Sequence, residues 1–219
     1  MYLTANIIVC AAAFLGFIYG GIQFFRPKKA LYAQMITLAL GCITFGRLFN
    51  IVRLLTDGNL TDSFQLGFLG LIGSLMFFYS ANFGTVDSLA DDRTKEFRKY
   101  RLIALIAPAA AIALYVVLFL VGDVSLLWKI SGTVLTLFVV FTSYYNLKHL
   151  IFPDVEFGVV KSLRPYNLLA LIYAATILVE CYAMSIGNEL MTLICCCISG
   201  LVTLTMMPLI VRGVEKWKI

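Results

Sequence analysis

Arg47, Asn50 and Arg53 follow one another at a spacing of three within an otherwise apolar run, Gly41-Cys-Ile-Thr-Phe-Gly-Arg-Leu-Phe-Asn-Ile-Val-Arg53. On a helix that spacing keeps all three along one side, within an arc of roughly 120°. A guanidinium costs at least about 2.5–3.5 kcal/mol at the centre of a bilayer, so it is expected to face a partner, water or a ligand. Far along the chain, Glu180 is the one acid deep within another apolar run, Tyr166 to Gly187. A lone carboxylate in hydrocarbon neutralises or finds a cation. An Arg47–Glu180 pair is therefore expected, with Asn50 and Tyr182 nearby and with Arg53, Lys129, Asn188 and Glu189 as an outer rim. Such a pair has two readings. It can fix how two helices pack, or it can line an outward-facing pocket for a small polar, zwitterionic or anionic ligand. In the second reading the ligand-binding residues are Arg47, Asn50, Arg53, Glu180 and Tyr182.

The elements that hold these residues follow from composition. Of 219 residues, 61% are hydrophobic and 13% charged, with a mean hydropathy of +0.94. Soluble domains carry about 25% charged residues, so the chain reads as an integral membrane protein. Seven apolar stretches reach the 17–25 residues that a spanning helix needs: 5–25, 30–54, 64–86, 102–121, 125–147, 166–187 and 189–211. The expected fold is all-α, a single seven-helix transmembrane bundle. No basic run precedes the first stretch, which reads as a retained helix rather than a signal peptide.

Fourteen of the 17 basic residues fall in 26–29, 87–101, 148–165 and the tail after 211. With seven spans those regions share one side, and the positive-inside rule makes that side cytoplasmic and the N-terminus external. At a rise of 1.5 Å per residue, Arg47 stands roughly 25 Å and Glu180 roughly 21 Å from the inner ends of their helices. Both then fall in the outer half of the membrane. A net charge of +5 spread between spans in this way does not point to nucleic acid. Anionic lipid headgroups are the expected neighbours of the basic end of the link Asp87–Arg101, where Asp91 and Lys95 stand at i,i+4.

Further features are read more plainly. The six cysteines lie in apolar runs and lack zinc-ligand spacing, so they are expected to be small buried hydrophobes without a metal. Gly16, Gly20 and Gly21, and Gly67, Gly70, Gly73 and Ser74, mark close helix approaches within the bundle, or a homodimer face. Pro108 and Pro208 should kink their helices. Asn59-Leu60-Thr61 is formally a glycosylation sequon. Tyr79, Ser80, Asn82 and Asp87, with Ser143, Tyr144, Tyr145, Asn146, Lys148 and His149, form a second polar group near the inner side. Paired histidines, a Gly-x-Ser-x-Gly, an Asp-x-x-Asp pair and a phosphate loop are all missing, so neither an enzyme nor a cofactor is expected.

The layout resembles the seven-helix N-terminal sensor region of some bacterial histidine kinases and diguanylate cyclases. The resemblance runs through the second span ending in RLFNIVRLLTDG and the glycine- and aromatic-rich FQLGFLGLIGSLMFFYSANFG. It continues through the charged link, the proline-bearing IALIAPAAAIAL, the turn SIGNEL and the basic tail. It implies ligand sensing on the outer face of a bacterial inner membrane. The sequence reaches Ile219 without a kinase or cyclase domain, so a relative would signal through a separate cytoplasmic protein. A small secondary carrier for an organic solute with Glu180 as coupling acid is the alternative, followed by a structural subunit of a membrane complex.

Overall fold

A computed structural model of the chain describes residues 1–25, 30–58, 66–83, 97–153 and 159–215, with side chains in the last segment from 163 to 213. Among these residues the fold is all helical. The helices are α1 (Tyr2–Phe24), α2 (Leu31–Thr56), α3 (Leu66–Ala81), α4 (Arg98–Leu120), α5 (Leu126–Ile151), α6 (Val159–Ser185) and α7 (Glu189–Glu215). Six of them are long and apolar enough to cross a membrane, the architecture of an integral membrane protein. α3 is the exception. Its 16 described residues rise about 24 Å, short of a hydrocarbon core of about 30 Å. The expected span 64–86 is thus matched only over its centre. The sequon, Asp87, Asp91, Lys95 and the link 26–29 lie outside the described residues.

Helix ends differ from the expected ones where polar residues continue a helix past its apolar stretch. α5 runs to Ile151 rather than 147, and α6 starts at Val159 rather than 166 and runs through Pro165. Pro108 acts as expected on α4. A proline ring clashes with the carbonyl four residues back and removes a donor. The chain accordingly breaks at Leu105, where the Leu105 N–H donates to Leu102 O at 3.2 Å, between helical pieces Arg98–Ala104 and Ile106–Tyr115. α4 then ends in a turn of π-helix, Val116–Leu120, which no sequence feature announced. Pro208 sits within α7 with no helix end assigned beside it.

The helices close into a ring. α1 packs on α2, α2 on α3, α3 on α5, α5 on α6, α6 on α7, and α7 back on α1. α4 stands outside the ring against α5. Glycines set the tightest approach, between α2 and α3. A Cβ on Gly70 would come within 2.7 Å of the Cys42 carbonyl oxygen, and one on Gly46 within 3.0 Å of the Gly67 carbonyl oxygen. Gly16 and Gly20 likewise seat α1 against Leu40 and Thr37 of α2 and Met207 of α7, whereas Gly21 faces open space. The α6–α7 turn is built for its sequence. Gly187 takes φ +68°, the Asn188 N–H donates to Ala183 O and the Gly187 N–H to Met184 O. That is a left-handed helix C-cap that favours glycine. Asn188 Oδ1 then accepts from the Met191 N–H at 3.0 Å, starting α7.

Outside the ring the surface is apolar, with Phe45, Leu55, Ile106, Val117, Leu126 and Leu201 all more than 60% exposed. Bilayer hydrocarbon is the solvent that such a surface fits.

Candidate functional site

Arg47 projects from α2 into the centre of the ring and is 2% exposed. It meets Glu180 of α6, 1% exposed, in a two-pronged pair: Nη1 to Oε1 at 2.5 Å and Nη2 to Oε2 at 2.8 Å. α2 and α6 are not neighbours in the ring, so the pair spans the interior. Two parallel charge-assisted bonds are the strongest arrangement a guanidinium and a carboxylate can make. Taking the two charges out of water and lipid headgroups is expensive, and only mutual attraction at this quality of geometry offsets it. The expected pair is present.

A further partner comes from α1. Asn6, 1% exposed, accepts from Arg47 Nη1 at 3.3 Å and from Asn50 Nδ2 at 3.2 Å, both at its Oδ1. Its own Nδ2 donates to the Tyr2 carbonyl at 3.0 Å. Asn50 thus joins the group through Asn6. Cys196 of α7 contributes its sulfur, 3.9 Å from Arg47 Nη1. Four helices, α1, α2, α6 and α7, therefore meet at one guanidinium. Among the described residues its Nε–H has no hydrogen-bond partner, an uncommon condition for a buried donor.

The other expected site residues lie elsewhere. Arg53, on the same side of α2 and nearer its end, pairs along its own helix with Asp57, Nε to Oδ2 at 2.7 Å. Tyr182 is two residues beyond Glu180, and residues so spaced do not face the same way on a helix. Its ring packs edge-on against Phe119 of α4, centroids 5.8 Å apart. The expectation of Tyr182 beside Arg47 is replaced by a role in seating the π-helical end of α4. At the rim, Glu189 lies 3.3 Å from the Met1 nitrogen.

The second polar group assembles around Asn82 at the far end of α3. Its Nδ2 donates to Asn146 Oδ1 at 2.9 Å and Asn167 Oδ1 at 3.1 Å, and its Oδ1 lies 3.1 Å from His149 Nδ1. Asn146 Nδ2 donates to Thr142 O at 2.7 Å. Asn82, Asn146 and His149 were expected here, and Asn167 of α6 was not. Tyr79, Phe83 and Tyr145 pack beside them, ring centroids 5.2–5.5 Å apart. Along α6, Asn167 and Glu180 are about 20 Å apart. Between them lies an apolar layer in which Tyr173 packs edge-on against Phe78 at 5.6 Å and its hydroxyl meets Ser74 Oγ at 3.4 Å.

Neither Asn6 nor Asn167 stood out in the sequence, although each is an amide in an apolar stretch. The cysteines are all free. Cys181, Cys195 and Cys196 are buried as expected, but Cys197 is exposed on the outer face of α7. Among the described residues no three His, Cys, Asp or Glu side chains converge as a metal site would need.

No family model, curated protein or solved structure matches this chain.

Proposed function

We propose that the chain is a seven-span, receptor-like module of a bacterial inner membrane, with its N-terminus outside, that senses a small polar or anionic ligand at Arg47. The observation that carries this reading is the Arg47 guanidinium. It is held by residues of three other helices, Asn6, Glu180 and Cys196, yet keeps one buried donor, Nε–H, unpaired among the described residues. An anionic or zwitterionic ligand would supply the missing acceptor and compete with Glu180 for the guanidinium. Because α1, α2, α6 and α7 all meet there, exchanging one acceptor for another would shift helices relative to one another. The Asn82 group, some 20 Å further along α6, lies where such a shift would reach the cytoplasmic links and a separate signalling protein.

A second reading has its own support. The two-pronged bond leaves Glu180 fully engaged, which suits a permanent latch between α2 and α6. Native mass spectrometry of gently extracted protein separates the two. Sensing predicts a retained small-molecule mass on the wild type that is lost in Arg47→Gln, which removes the guanidinium, and kept in Glu180→Gln, which removes its competitor. A bare wild type and a bare Glu180→Gln, with no ligand shifting the unfolding temperature across amino acids, carboxylates and phosphates, would leave the latch.

A further inference from the structure

A cavity of about 200 Å³ lies between α4, α5 and α6. Five of its lining residues are alanines: Ala107, Ala110 and Ala111 on α4, and Ala174 and Ala175 on α6. The small side chains are what leave the space. Its one lining hydroxyl, Ser143 on α5, already donates to the Val140 carbonyl at 3.1 Å. The wall therefore offers a ligand only apolar contact. A cavity of comparable size and lining stays dry and takes an apolar guest. Ala110 and Ala175 are exposed at its mouth, so it opens toward hydrocarbon between α4 and α6.

The charge at one end of this opening narrows the guest further. Arg164 lies seven residues before Leu171, the first cavity residue on α6, hence on the same helix face and about 10 Å away. It donates from Nη2 to the Phe152 carbonyl at 3.0 Å, and its buried Nε–H has no hydrogen-bond partner among the described residues. The start of α4 reaches the same place. The rings of Phe97 and Tyr100 lie 4.8 and 5.8 Å from that of Phe152, and Arg98, Lys99 and Arg101 stand on this first turn. From Arg164 to Leu178, the last cavity residue, is about 21 Å. One leaflet's hydrocarbon of about 15 Å plus its headgroup layer of about 6 Å has that depth.

We propose that this cleft binds an anionic phospholipid of the bilayer. Its phosphate is held by the half-buried Arg164 guanidinium within the cationic cluster, and the end of one acyl chain fills the alanine-lined cavity. The lipid serves as a strut between α4 and α6, away from the Phe119–Tyr182 contact where the end of α4 meets α6 directly. This holds whether or not Arg47 takes a ligand.

The test is reconstitution into nanodiscs of equal phosphatidylglycerol and phosphatidylcholine, followed by extraction and mass analysis of the retained lipid. The wild type should retain phosphatidylglycerol in clear excess. Arg164→Gln should lower that preference about fivefold, the effect of one cation near an anionic headgroup. Ala175→Phe, a substitution at the exposed mouth that a folded bundle tolerates, should displace either lipid. Bulk lipid proportions on the wild type would overturn the proposal. So would undiminished phosphatidylglycerol on Ala175→Phe, or a lipid-free dimer that assigns this face to a second copy. Circular dichroism melting of each variant shows that it is folded, and the wild-type and Ala175→Phe arms decide even if Arg164→Gln is not.

Discussion

At the scale of single residues, the interior holds two kinds of polar group with different stakes. Removing one partner of a buried ion pair leaves a charge with nothing to balance it, so Arg47→Gln or Glu180→Gln should each cost about 3–5 kcal/mol. The double replacement should cost clearly less than the sum, by roughly 1–2 kcal/mol or more. Unfolding in mixed micelles measures this, and additivity within about 0.5 kcal/mol would mean the two do not interact. The amides are worth less, because interhelical hydrogen bonds in membranes average about 0.6 kcal/mol. Asn82 makes three such contacts, so Asn82→Leu should cost about 1–2 kcal/mol. Asn167→Leu should cost under about 1 kcal/mol, since Asn167 Nδ2 has no partner to lose among the described residues. If the two variants unfold alike, Asn82 is not the hub. The same contrast explains what could be read in advance. A charge in an apolar run must find its opposite, and Arg47 and Glu180 each had one candidate. Asn6 and Asn167 carry no charge, and nothing but packing decides whether an amide faces a neighbour or its own helix.

At the scale of elements, glycines and prolines separate what is local from what is not. Gly70 and Gly21 both sit inside helices, but only Gly70 touches another backbone. Gly70→Val should force α2 and α3 apart and cost about 1–3 kcal/mol. Gly21→Ala meets nothing within 4 Å and should stabilise α1 by about 0.5–1 kcal/mol, as alanine does over glycine in a helix. Equal effects in thermal unfolding would show that the close approach carries no stability. The small-residue spacing announced these contacts without saying which glycine was used. The break at Leu105 was legible because its cause, Pro108, is local. The π turn at the end of α4 was not; the contacts made there are tertiary, Phe119 packing against Gly132 and Tyr182, and Tyr182 lying beside Gly122. Ring order was equally hidden. In hydrocarbon the outward face of each helix is as apolar as the inward one, so hydropathy shows where helices are and not which way they face.

At the scale of the whole molecule, what turns on the short helix α3 is the side of the membrane that each end occupies. If α3 crosses, the end of α2 and the start of α4 lie on opposite sides, and the clustering of basic residues into four regions makes the α4 side cytoplasmic. If α3 enters and returns, both ends share one side and that charge pattern loses its meaning. The interior favours crossing. Gly67, at the start of α3, lies against Gly46 and Asn50 at one level of the bundle, close to the Arg47 pair. Asn82, just past the end of α3, reaches Asn146 and Asn167 at the other. Touching both levels with its two ends is what a crossing segment would do. Asp57 and Lys99, both solvent-exposed, are the positions that test this. Each is replaced by cysteine, and labelling by a membrane-impermeant maleimide is read above that of the six native cysteines. Asp57→Cys should label in intact cells. Lys99→Cys should label only after the membrane is opened. Labelling of both from the same side would reduce the bundle to six crossings, with the Arg47 end of α2 on the side that labels. The reverse pattern would keep seven crossings but invert them, placing the Asn82 group outside and the guanidinium toward the cytoplasm.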